Sequence, residues 1–145
     1  MGGAQPPART VAGSCLCGAV RFAIEPPVLF CAHCHCTMCR RAHGAAYVTW
    51  VGVPYARLRV VAGEERLVRH RSSEHGTRSF CGGCGSSLFC ESTNHPDWID
   101  VVLANLEGDV GVAPQAHFYF DDRADWVRVA DDLPRFGGKS GTEPL

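Results

Sequence analysis

Apolar and polar residues alternate along this chain in short stretches rather than at a helical spacing. Val20, Phe22 and Ile24 alternate with Ala19, Arg21 and Ala23, so one face of that segment is apolar, and Glu25-Pro26-Pro27 then turns the chain. This is read as the first strand. Runs rich in β-branched and aromatic residues, punctuated by Gly and Pro, predict further strands over residues 28–32, 45–51, 58–61, 67–71, 77–80, 87–90, 98–104 and 116–120. The connections are too short for crossover helices, so the sheets are expected to be mostly antiparallel. Helix is confined to a short turn over Thr37–His43 and another over residues 123–127. The fold class is therefore mostly β, with small antiparallel sheets.

Composition narrows the function classes. At 145 residues the chain has the size of one globular domain. Residues 1–12 and 137–145, rich in small and turn-forming residues, are read as flexible ends around a working domain over 13–136. The charge is nearly balanced, 14 Lys and Arg against 15 Asp and Glu, so there is no long basic stripe for a phosphate backbone. Nucleic acid is not an expected partner. No apolar run approaches the ~20 residues of a membrane span, and residues 1–12 lack the pattern of a secretory signal, so a soluble cytoplasmic protein without a membrane partner is expected. Thiols stay reduced there, and nine cysteines falling in tight groups favour metal ligation over disulfides.

Two groups stand out. Cys81-Gly82-Gly83-Cys84-Gly85 has the two-residue gap that lets both thiolates face one ion, with glycines for the tight loop. Upstream, Cys15-Leu16-Cys17-Gly18 can present two more sulfurs to the same point. A shared ion would close a long loop and staple the first strand to a later sheet, a structural role. The competing reading is a pair of redox couples or spare core thiols.

Residues 31–39 read Cys-Ala-His-Cys-His-Cys-Thr-Met-Cys, four cysteines and two histidines in nine positions. Cys34, Cys36 and Cys39 can supply three thiolates from one loop and the first turn of a helix. Three ligands with the fourth place vacant is the arrangement of zinc sites that do chemistry. Three thiolates make zinc a poor Lewis acid but suit it to holding a substrate thiol as thiolate. The alternative is a closed structural site with Cys31, His33 or His35 as fourth ligand. Arg40 and Arg41 follow directly and can clamp a substrate carboxylate, and His35 can transfer protons near neutral pH. Cys90, in an apolar run, is read as buried and inert.

Taken in order, Gly13-Ser14-Cys15-Leu16-Cys17-Gly18-Ala19-Val20-Arg21-Phe22, then Cys34-His35-Cys36-Thr37-Met38-Cys39-Arg40-Arg41, then Phe80-Cys81-Gly82-Gly83-Cys84-Gly85 resemble the glutathione-dependent formaldehyde-activating enzyme family, which includes centromere protein V. His117-Phe118-Tyr119 through Trp126 and Leu133-Pro134-Arg135-Phe136 resemble its C-terminal end. The resemblance implies a zinc-stapled β fold related to methionine sulfoxide reductase B. It implies two zinc ions, a structural one on Cys15, Cys17, Cys81 and Cys84 and a catalytic one on Cys34, Cys36 and Cys39. The implied activity is that of a carbon–sulfur lyase, adding the thiol of glutathione to formaldehyde. Sulfoxide reduction itself is disfavoured, since no cysteine follows Cys90. The competing function is a non-catalytic zinc-binding interaction module, and association into a homo-oligomer is left open.

Overall fold

The alternating runs form strands in a computed structural model that describes residues 9–145. A three-stranded antiparallel sheet is ordered β1 (Val11–Ser14), β2 (Arg21–Ile24), β5 (Leu58–Ala62). The apolar face read from Val20, Phe22 and Ile24 is buried, at 0%, 1% and 0% exposure. Burying side chains of this size contributes about 1.5–3 kcal/mol each.

A seven-stranded sheet carries the rest of the domain. It contains β3 (Phe30–Cys34), β4 (Val48–Pro54), β6 (Leu67–Arg71), β7 (Gly76–Cys81), β8 (Ser87–Ser92), β9 (Trp98–Val102) and β10 (His117–Phe118). Its order is β10-β3-β4-β9-β8-β7-β6. All its pairs are antiparallel except β10 with β3, where the chain has travelled far enough to return in the same direction. Phe22 meets Phe89 edge-on at 5.0 Å, joining the two sheets. Cys31, Val51, Val53, Ile99 and Val101 belong to this shared core. Because side chains alternate along a strand, residues one position away lie on the opposite face, where the site is built.

Helix α1 (Thr37–His43) spans the expected residues and ends at Gly44, whose φ of 60° suits a glycine cap. Other expectations need correction. The strand over 98–104 stops at Val102 and continues as a 3-10 turn. Residues 123–127 form no helix; Arg123 lies over the Phe120 ring at 4.3 Å and Ala124 is buried. Of the flexible N terminus expected over 1–12, residues 1–8 lie outside the described residues, while Val11 and Ala12 pair with Ile24 and Ala23. In the tail, β11 (Phe136–Gly137) pairs with β12 (Glu143–Pro144), and the Tyr119 N–H donates to the Gly141 carbonyl at 3.0 Å. Among the described residues, no helix is long and apolar enough to cross a membrane.

Candidate functional site

Two turns bring the separated cysteine pairs together. Cys15 and Cys17 lie in the β1–β2 turn, while Cys81 ends β7 and Cys84 follows in the turn to β8. Their four sulfurs lie within 4.8 Å of one another. Cys15 Sγ to Cys17 Sγ is 3.6 Å and Cys17 Sγ to Cys81 Sγ is 3.9 Å. Four thiolates at ~2.3 Å from one tetrahedral zinc would stand about 3.8 Å apart, so the set fits such an ion. The Val20 and Gly83 N–H groups donate to Cys15 Sγ and Cys81 Sγ, each at 3.3 Å, orienting the sulfurs. Gly18 and Gly85 close the two turns at φ of 80° and 79°.

The second group is local. Cys34 ends β3, Cys36 caps α1 and Cys39 sits in its first turn. The Cys39 N–H donates to Cys36 Sγ at 3.2 Å, and the three sulfurs lie within 4.8 Å of one another. Cys39 is the thiol held lowest, by hydrogen bonding from Cys34 and Cys36 and by the Arg78 guanidinium, whose Nη2 donates to Cys39 Sγ at 3.6 Å. The same sharing with Cys36 and Cys39 pushes Cys34 up. No fourth His, Cys, Asp or Glu joins this group among the described residues.

Strand parity explains which neighbours stay away. Phe30 and Cys34 share one face of β3 and line a cavity; Cys31 and His33 take the other parity, and His35, beyond the strand end, packs against His117. Cys31 is fully buried in the shared core, where burial pushes its thiol up. The cavity holds about 770 Å³, and Cys34, Cys36 and Cys39 line it together. Across its floor runs one cross-strand row, Phe30–Gly52–Asp100–Cys90–Arg78, each residue paired with the next on the neighbouring strand. A Cβ at Gly52 would stand 2.3 Å from the Phe30 ring, so only glycine lets that ring lie against the floor. Trp50, Trp98, Phe118 and Tyr119 supply apolar walls.

The model of the glutathione-dependent formaldehyde-activating enzyme family matches residues 10–122. The chain belongs to that family. A Halomonas elongata protein, provisionally named a glutathione-dependent formaldehyde-activating enzyme, is 29% identical over 125 residues, 81% of this chain and 79% of its own. An uncharacterised lyase of Schizosaccharomyces pombe is 29% identical over 133 residues, 86% of this chain and 88% of its own. The crystal structure of a Rhodobacter sphaeroides protein matches with a TM-score of 0.58 at 29% identity, over 71% of this chain and 97% of that one.

In this member of the formaldehyde-activating family the residues flanking the trio do not reach the cavity wall. His35 is fully buried on the far side of the loop, its Nε2 2.8 Å from His117 Nδ1, and burial pulls its pKa down to about 4. Arg40 donates from Nη2 to the Asp122 carbonyl at 3.1 Å, and Arg41 is exposed. His33, His117 and Asp131 also cluster within 4.8 Å. Both His117 nitrogens are engaged there, Nδ1 by His35 and Nε2 by the Asp131 oxygens at 3.0 Å each. The hydrogen-bonded line is therefore His35–His117–Asp131, while His33 Nδ1 pairs with Thr49 Oγ1 at 2.8 Å. The cavity instead presents Arg78, Cys90, His95 and Asp100, none of which the sequence reading placed in the site. Burial pushes Asp100 up to about 7 and Cys90 up to about 12. One signal was available: Asp100 is the single acidic residue in the run Trp98–Val102.

Proposed function

We propose that this protein is a zinc-dependent carbon–sulfur lyase that joins a small thiol, such as glutathione, to formaldehyde or a related small electrophile. The carrying observation is that, among the described residues, no fourth protein ligand joins the three-thiol group, which faces a cavity of about 770 Å³. Cys15, Cys17, Cys81 and Cys84 would hold a structural ion, and Cys34, Cys36 and Cys39 a catalytic one, two per chain. Zinc held by these three thiolates would make a substrate thiol easier to deprotonate near neutral pH.

The chain's own residues do the rest. Arg78 stabilises the anionic form of Cys39 and brings fixed positive charge to the cavity wall. Lys139 adds a second cation, a pairing suited to the carboxylates of glutathione. The aromatic walls exclude water around the reacting carbon. His35 acts as a positioning residue in this reading, holding the loop between Cys34 and Cys36 through His117. Formaldehyde and thiols combine unaided, so orientation and thiolate character are the contributions required.

The test is two-dimensional exchange NMR on glutathione and formaldehyde with zinc-loaded protein. The exchange rate is expected to rise in proportion to protein and to return to the buffer rate for Cys36→Ser. A wild-type rate no faster than buffer would reject the lyase reading.

A further inference from the structure

Four neighbours in the cavity floor form a graded polar set. Asp100 sits at the centre of the cross-strand row, with Cys90 beside it and Arg78 one strand further on. Its side chain is 16% exposed, and its Oδ1 is buried without a hydrogen-bond partner. His95 approaches the other oxygen, Nε2 to Oδ2 at 3.8 Å, and is itself 25% exposed. The His95 ring stacks on Trp98 at 4.4 Å with an interplanar angle of 4°, which fixes it between Asp100 and solvent. Four buried, partnerless polar atoms, Arg78 Nη1, His95 Nδ1, Trp98 Nε1 and Asp100 Oδ1, therefore belong to residues lining one cavity. Buried polar groups without partners are rare, and several around one cavity indicate that a polar ligand completes them.

The chemistry proposed above needs a group of this kind. A thiol must give up its proton, and the carbonyl oxygen must gain one. Neither Arg78, permanently charged, nor Cys90, held protonated, can do both. His35 is buried on the opposite side of the loop and does not line the cavity.

We propose that Asp100 is the catalytic acid–base residue of this site, carrying the proton between the substrate thiol and the carbonyl oxygen. The inference rests on the proposed lyase function. In the forward direction the thiol S–H bond breaks and the Asp100 carboxylate takes the proton. The sulfur electron pair forms the carbon–sulfur bond, the carbonyl π pair moves to oxygen, and the Asp100 carboxyl returns the proton there. No electrons are gained or lost, and the reverse sequence is the lyase direction. His95 is the positioning residue that links the carboxyl to solvent. The ionisable groups around Asp100 are His95 on the preceding loop, Cys90 on β8, Arg78 on β7, Cys39 on α1 and Tyr55 after β4. Burial outweighs them and the opposing Trp98 N–H, and it favours a carboxyl able to exchange its proton near neutrality.

The test compares zinc-loaded wild type with Asp100→Asn, an isosteric change, by glutathione–formaldehyde exchange NMR across the neutral pH range. The protein-dependent rate is expected to fall about 100-fold or more, the range of general acid–base contributions, with the KM for glutathione within about twofold. The pH profile should also lose the inflection that Asp100 contributes. A rate within about threefold of wild type overturns the inference while leaving the lyase function standing. An inactive wild type overturns both. A second readout needs no variant: with carbon-13 carboxyl-labelled aspartate, one wild-type signal is expected to titrate near neutrality. If every aspartate signal titrates in the ordinary carboxylate range, around pH 4, Asp100 cannot exchange the proton and the inference fails.

Discussion

His35 Nε2 and His117 Nδ1 lie 2.8 Å apart with both rings buried, so the residue between two candidate ligands is held from the far end of the chain. Asp131 receives the other side of His117, and the three form one hydrogen-bonded line. Replacing His117 by Phe fills the space but leaves His35 without its partner. A loss of about 1–3 kcal/mol in urea unfolding is expected. The trio should also release its metal about tenfold more readily to a chelator. Unchanged metal retention would show that the line braces the fold alone.

Asp100 gives a pH signature in stability. Burial holds its folded carboxyl protonated to about pH 7, whereas the unfolded chain releases that proton near the usual carboxylate value. Between about pH 4 and pH 7 the folded state therefore binds more protons, and stability falls as pH rises through that window. Asp100→Asn removes the term. The variant should gain on wild type as pH rises, by up to about 4 kcal/mol above neutrality. Urea midpoints for the two proteins at acidic and mildly alkaline pH provide the measurement, and a pH-independent gap would count against the buried carboxyl.

Arg78 stabilises anionic Cys39 through the Nη2–Sγ contact at 3.6 Å. In metal-free protein, Arg78→Gln should raise the Cys39 pKa and slow its alkylation at neutral pH several-fold. Peptide mass spectrometry after timed iodoacetamide treatment reads this site by site. Equal rates would mean that the guanidinium is engaged elsewhere in solution.

The two cysteine groups should fail differently. Cys84→Ser breaks the staple between the sheets, and loss of folded structure by circular dichroism is expected along with one bound ion. Cys36→Ser affects a group on a single loop and helix, so the fold should survive with the other ion retained. If Cys36→Ser also unfolds the chain, the trio is structural.

Much of this architecture was legible in the residues. The period-two runs located most strands, and the cysteine spacings selected both groups that the fold assembles. β1 was missed because Val11-Ala12 closes a stretch rich in Gly, Ala and Pro that reads as a flexible end, and Gly13-Ser14 carries no strand signal; pairing with β2 and a bridge from Gly13 to Leu106 hold it instead. His35 drew attention by its position between cysteines, yet its ring is buried against His117 and does not line the cavity. Asp100 and Arg78 were overlooked because a charged residue within a strand is ordinarily a solvated one. Only the sheet register shows that they share a row.

The two cysteine groups also differ in when they can exist. Cys34, Cys36 and Cys39 are complete as soon as a short stretch of chain has been made. The staple must wait for residues 64 positions further on and close that loop at an entropic cost of about 4 kcal/mol. During synthesis from the N terminus the three-cysteine group is thus available to an ion before the four-cysteine group. On the proposed function, metal available early would fill the site of chemistry first, and completion of the fold would depend on supply at the later moment.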